Sequence, residues 1–186
     1  MFIQTETTPN PATLKFLPGE TVLEVGTADF SNCEAAENSP LAKNIFAVDG
    51  ISGVFFGNDF ITVTKNDTYE WDNLKPEVLA SIMDHYQSGN AVMDNNYGSI
   101  SHAEHVGPDK KIVDQIKELL DTRVRPAVAQ DGGDITFHGF DDGIVYLHMQ
   151  GACAGCPSST MTLKMGIENL LKHYIPEVSD VQPVSE

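Results

Sequence analysis

Apolar and polar positions fall into two patterned stretches with an unpatterned one between them. In the first, residues 2–7 and 13–17 are short β-prone runs around Pro9-Asn10-Pro11. Ser39 can cap a helix and Pro40 suits its first position, so a short helix is expected through Phe46 and Ala47, ending near Asp49-Gly50. Ile51–Phe56 and Phe60–Thr64 flank Gly57-Asn58-Asp59 and predict a hairpin. Val78, Leu79, Ile82, Met83 and Tyr86 recur at helical spacing. They predict a helix from about Leu74 to Tyr86, capped by Asp72 or Asn73 and stopped by Gly89.

Residues 88–107, SGNAVMDNNYGSISHAEHVG, have no periodicity and read as a flexible linker. Pro108 opens the second patterned stretch. Ile112, Val113, Ile116, Leu119, Leu120 and Val124 make one apolar helix face. Asp131-Gly132-Gly133-Asp134 is a turn. Ile135–Phe140 and Ile144–Met149 are strands joined through Asp141-Asp142-Gly143. After the loop Gly151–Pro157, a helix starts near Ser158 with Leu163, Ile167, Leu170, Leu171 and Tyr174 on one face. Pro176 ends it, and Val178–Val181 is a last strand. The expected fold is α+β: two small α/β-sandwich-like domains, 1–87 and 108–186, joined by the flexible linker 88–107. The second domain is ordered helix, strand, strand, helix, strand.

Composition supports two small globular domains: 186 residues, 41% hydrophobic and 20% charged. No apolar run approaches the length of a membrane helix, so no membrane partner is expected. The opening MFIQTETTPNP lacks the features of a signal or transit peptide. A cytoplasmic location is therefore expected, or the mitochondrial matrix for a eukaryotic source. A net charge of −16 repels phosphate backbones and argues against nucleic-acid binding. Residues 1–107 hold −11 of it and residues 108–186 hold −5. The stretch 143–176 has only Glu168 against Lys164 and Lys172, so an anionic metal–thiolate centre is better tolerated there, although a simple solubility charge explains most of the asymmetry.

Three cysteines do not make a disulfide framework, and they suit a reducing compartment. Cys153 and Cys156 form a C-x-x-C in Gly151-Ala152-Cys153-Ala154-Gly155-Cys156-Pro157. Two intervening residues let both sulfurs bend toward one tetrahedral centre. Pro157 suits a first helical position, so the dipole of the following helix is expected to favour thiolate. An all-sulfur site needs four thiolates, and one chain offers two at the right spacing. A site completed by protein then needs two chains, most simply a two-fold homodimer with Cys153 and Cys156 from each. A metal centre shared near the surface can be handed over by thiolate exchange. Two other readings stay open. One is a thiol–disulfide oxidoreductase, against which the apparent lack of a βαβ setting argues. The other is a zinc-bridged interaction module, which the same spacing fits.

Other candidates have plainer readings. Cys33 is a packed or surface side chain. His102 and His105 could grip a metal but read as solvated linker residues. Asp131 and Asp134 supply turn and cap chemistry, and Gly132 and Gly133 supply positive φ or close packing near the loop. Met161 and Met165 lie off the main helix face and suit packing against the sheet or a dimer partner. Trp71, Phe55 and Phe56 are core or hairpin residues.

The run RPAVAQDGGDITF, with GACAGCPSSTMTLKMGIENLLKHYIPEV, resembles the NifU-like C-terminal domain. MFIQTETTPNPATLKFLPG, with SPLAKNIFAVDGISGVFFGNDFITVTK, resembles the Nfu N-terminal domain. The two resemblances cover nearly the whole chain outside the linker. They imply a non-enzymatic carrier that binds a 4Fe–4S cluster bridging a homodimer, with Cys153 and Cys156 as ligands. They also imply apo iron–sulfur enzymes as acceptors, upstream cluster-assembly proteins as donors, and a docking or modulating role for the N-terminal domain.

Overall fold

The computed structural model describes residues 1–94, 102–155 and 157–184, with backbone only for 157–159. The chain divides into two compact units, Met1–Ile100 and Ser101–Glu186.

The first unit contains β1 (Gln4–Thr7), β2 (Thr13–Leu17), β3 (Ala28–Phe30), α1 (Pro40–Phe46), β4 (Ile51–Phe56), β5 (Ile61–Lys65) and α2 (Trp71–Ser88). Its strands form one antiparallel sheet in the order β1-β2-β5-β4-β3. One face buries Phe16, Phe30, Phe56, Ile61 and Val63 beneath Leu41 and Ile45 of α1 and Leu74, Val78 and Ile82 of α2. On the other, the rings of Phe55 and Phe60 lie 6.0 Å apart, and the Lys15 ammonium sits 4.8 Å from the Phe60 ring centre. Ser39 caps α1 as expected: the Ala42 N–H donates to its Oγ at 3.1 Å, and Pro40 occupies the first turn.

Three departures from the sequence reading have local causes. Helix α2 starts at Trp71 rather than Leu74, and neither Asp72 nor Asn73 is its cap. Trp71 anchors the extra turn by donating its indole N–H to the Pro11 carbonyl (3.2 Å) and packing its ring edge-on to Phe16. Strand β3 and a 3-10 turn at Ala35–Asn38 arise in a stretch without periodicity. Asn58 pins the incoming loop: its carbonyl accepts from the Val22 and Leu23 N–H groups, and its amide donates to the Leu23 carbonyl. The segment 88–107, expected to be free throughout, is tied down where it is described. Ser39 Oγ donates to the Val92 carbonyl, the Asp94 N–H donates to the Asn38 carbonyl, and Val92 and Met93 pack on the first core. At the other end, Ala103 N–H donates to the Phe137 carbonyl and Phe137 N–H donates to His102 Nδ1. Residues 95–101 of that segment lie outside the described residues.

The second unit contains α3 (Lys110–Leu119), a π-helical turn (Leu120–Val124), α4 (Arg125–Gln130), β6 (Gly133–Asp141), β7 (Ile144–Gly151), α5 (Pro157–Tyr174) and β8 (Asp180–Val184). The apolar face from Ile112 to Val124 was expected on one helix. Its last turn widens because Pro126 has no N–H for the Thr122 carbonyl and its ring crowds that position. The Arg125 N–H reaches back to Leu120 instead. Strands β6 and β7 pair antiparallel around Asp142 and Gly143, both at positive φ, and β8 pairs parallel to β7. The sheet order is β6-β7-β8. Ile135, Phe137, Val145, Leu147 and Met149 bury one face against Val113, Ile116, Leu120, Val128, Ile167 and Leu171. The α+β class and the helix–strand–strand–helix–strand order of this unit are as expected. The parallel pairing makes β7–α5–β8 a βαβ unit, which the sequence reading had taken to be absent.

Candidate functional site

The cysteine loop fills the junction between β7 and α5. Gly151 ends the strand with φ 60° and pairs with Gly133 across the sheet. The loop then closes on itself: Ala152 N–H donates to the Gly132 carbonyl (3.1 Å), Cys153 N–H to Gln150 (3.3 Å) and Ala154 N–H to Gly151 (3.1 Å). Thr160 Oγ1, from the first turn of α5, donates to the Cys153 carbonyl at 3.2 Å. Sequence, strand end and helix start thus fix the backbone of Cys153 from both sides.

Close packing at Gly133 makes room for the sulfur. A Cβ at Gly133 would stand 2.9 Å from the Cys153 nitrogen and the Gln150 carbonyl oxygen, and in outright collision with Cys153 Sγ. Only glycine fits. Gly132 turns the chain into β6 at φ 82°, so the expected roles of the glycine pair hold. Gly155 adopts φ 74° and faces open space.

Cys153 is 5% exposed and belongs to the second core. Burial pushes its thiol up to about 12, with the carboxylates of Asp131 and Asp134 adding to the rise. This reverses the expectation of a dipole-favoured thiolate. Cys153 lies four positions before Pro157, beyond the first turn where the helix field acts, and is shielded from water. Cys156, the other expected ligand, lies outside the described residues. Cys33 is exposed in the first unit. Among the described residues no three His, Cys, Asp or Glu side chains converge on a possible metal position, so His102 and His105 form no metal group there.

Sequence reasoning missed the ionic network behind the loop. Arg125 donates from Nε and Nη2 to the two oxygens of Asp134, both at 2.8 Å, and from Nη1 to Asp121 at 3.0 Å. Asp134 is buried and also accepts from the Ile135 N–H, so its role exceeds turn chemistry. The hydrogen bonds to Asp134 hold the Arg125 guanidinium charged against the opposing effect of burial. Asp121 continues the network to His102 Nε2 at 2.9 Å. His102 Nδ1 accepts from the Phe137 N–H, so Nε2 carries the ring proton and donates to Asp121. His102 is therefore a structural latch, not a solvated linker residue. The available signal was an arginine and an aspartate bracketing RPAVAQDGGD; spacing alone did not say that the pair is buried.

Backbone cradle, buried sulfur and glycine packing make one built site at the end of β7. A family profile described as "Scaffold protein Nfu/NifU N terminal" matches residues 3–89, and one described as "NifU-like domain" matches residues 116–182. The chain is 55% identical over 98% of its length to NifU-like protein 4, mitochondrial, of Arabidopsis thaliana, covering 65% of that protein. It is 51% identical over 100% of its length to the NFU1 iron-sulfur cluster scaffold homolog, mitochondrial, of Homo sapiens, covering 73%. The chain thus spans about two thirds of the length of such relatives. A solution structure of a NifU-like protein from Saccharomyces cerevisiae is 28% identical, over 51% of this chain and 86% of that one, with a TM-score of 0.46. By the two family profiles and the sequence relatives, the chain belongs to the Nfu family, with an Nfu N-terminal domain followed by a NifU-like domain.

Proposed function

We propose that the protein is an iron–sulfur cluster scaffold and carrier, not an enzyme, and that its cargo is a 4Fe–4S cluster held by Cys153 and Cys156 from each of two chains. The reading is supported most by the Cys153 loop, a backbone cradle built at Gly133 for a sulfur and followed after two residues by a second cysteine. The chain lacks a further cysteine pair, so four thiolates require two copies. When bound, the cluster supplies the iron that the thiolates grip. The protein orients Cys153 and shields it from water. A thiol buried in the cluster-free chain loses its proton only as metal arrives, so binding the cargo and releasing a proton are one event. Apo iron–sulfur enzymes take the cluster by thiolate exchange, and upstream assembly proteins supply it. The two domains have 1–87 and 108–186 as their bodies, and the described ends of 88–107 are bonded to one or the other. The relatives named above bear "mitochondrial" in their names, which favours the mitochondrial matrix over the cytoplasm.

Anaerobic reconstitution followed by iron, zinc and acid-labile sulfide counts tests the reading. About four irons and four sulfides per pair of chains are expected. Cys153→Ala and Cys156→Ala chains should each lose the cluster and remain monomeric by light scattering. Zinc without sulfide in freshly loaded protein would support the bridged interaction module instead. The βαβ setting of the loop removes the earlier argument against disulfide chemistry. The burial of Cys153 replaces it, because a redox cysteine needs an accessible, readily ionised thiol. Insulin reduction by metal-free protein should therefore be negligible.

A further inference from the structure

We propose that the outward face of α5 from Met161 to Asn169 is the surface on which a second copy of this chain seats, beside the cysteine loop. This rests on the two-chain reading above and names the residues that make it possible.

Met161 and Met165 are 66% and 58% exposed and stand one turn apart on the same side of α5. Neither packs on the sheet. The exposed positions between 161 and 169 are Met161, Thr162, Met165, Gly166 and Asn169, none of them charged. A Cβ at Gly166 would meet nothing within 4 Å, so the face has a shallow hollow beside the Met165 knob. The charges on this stretch are engaged sideways: Lys164 with Asp180 at 3.4 Å, and Glu168 with Lys172.

Charge decides the occupant. In a two-fold contact the same patch faces itself, so any net charge in the patch repels its own image. A chain of net charge −16 approaches its copy at least cost through a surface that carries none of that charge. This face is neutral, and its knobs and hollow can interdigitate with their own images. Methionine, flexible and polarizable, suits a contact that forms when cargo is present and parts when it leaves. Position agrees with charge. Met161 and Met165 lie about 6 and 12 Å along the helix from Pro157, at the end that bears the loop. With the symmetry axis running along two helices side by side, both cysteine loops meet at that end.

The test uses the full chain in three forms: wild type, Met161→Glu with Met165→Glu, and Met161→Lys with Met165→Lys. Each is loaded anaerobically and measured by sedimentation velocity over a concentration series, with iron and sulfide counted per chain. Each variant alone should show a dimer dissociation constant raised about tenfold or more, with a matching loss of cluster. An equimolar mixture of the two variants should return to within about threefold of wild type, which a folding defect would not allow. Variants that dimerise like wild type overturn the inference alone. If such variants also deliver cluster slowly to an acceptor, the face belongs to the acceptor. A mixture that fails to recover overturns it as well. Wild-type chain that takes up neither iron nor sulfide overturns the scaffold reading, and this inference with it.

Discussion

Among the described residues, the first unit fully buries Phe16, Phe30, Phe55 and Phe56, whereas the second fully buries one phenylalanine, Phe137. The first is one wholly antiparallel sheet, with a bulge between Ile51 and Gly53, under an 18-residue helix that carries Pro76. The second has a helix broken by a π-turn, a parallel strand pair, and an ion pair with a buried carboxylate behind its cysteine loop. Large aromatic side chains supply much of the burial that holds the first core. The second unit instead spends part of its stability on irregular backbone and buried charge that hold one loop in place. Substitutions that touch this apparatus should therefore cost more than substitutions of the same size in the first unit.

The largest expected effect is at Arg125. Arg125→Met strands the buried Asp134 carboxylate and should destabilise the second unit by about 3 kcal/mol in urea unfolding, with the first unit unmoved. Adding Asp134→Leu should restore part of the loss, because the stranded charge is then gone. Next, Gly133→Ala should cost about 2 kcal/mol and abolish cluster loading, since its methyl group meets Cys153. Gly53→Ala in the first unit, where the nearest atom is Thr64 Cβ at 3.5 Å, should cost under about 1 kcal/mol. Equal costs at the two glycines would erase the contrast between the units.

Two smaller effects separate the units by pH. Burial lowers the pKa of His85 in α2, with the Asn90 backbone offsetting part of the shift. The unfolded chain then binds the proton more readily. First-unit stability is complete above about pH 6.5 and falls on acidification, by at most about 1.4 kcal/mol per pH unit. His85→Phe should flatten that slope. In the second unit, burial pushes the Asp121 carboxyl up, but Arg125 and His102 outweigh it and hold the pKa below its ordinary value. The stability it lends is present above about pH 4 and lost as the pH falls through the lowered value. Asp121 is half exposed, so Asp121→Asn should cost about 0.5 kcal/mol at neutral pH.

Elements with a strong local signal were legible in the sequence. The Ser39-Pro40 helix start, the hairpin around Asn58 and the Asp142-Gly143 turn each followed from a few adjacent residues whose preferences agree. The packing of Gly133 against the cysteine loop was legible in kind. What escaped depends on distant partners. Strand β3 exists because β4 offers it an edge, and α2 gains its first turn from contacts to Pro11 and Phe16. The polar runs at both ends of 88–107 looked unstructured because their bonding partners, Ser39 and Phe137, lie far away in sequence. Burial set the ionisation of Cys153 against the helix field, and spacing carries no information on burial.

Strand β8 lies alongside β7 in the same direction, and the helix between them begins at the end of the cysteine loop. A nascent chain can therefore expose Cys153 and Cys156 on the ribosome before the sheet that shapes their loop is complete. The core that buries Cys153 includes Val181 of β8, so that core is complete only once Asp180–Val184 has been synthesised and has docked. The surroundings of that thiol are therefore finished by a strand made nearly thirty residues after it.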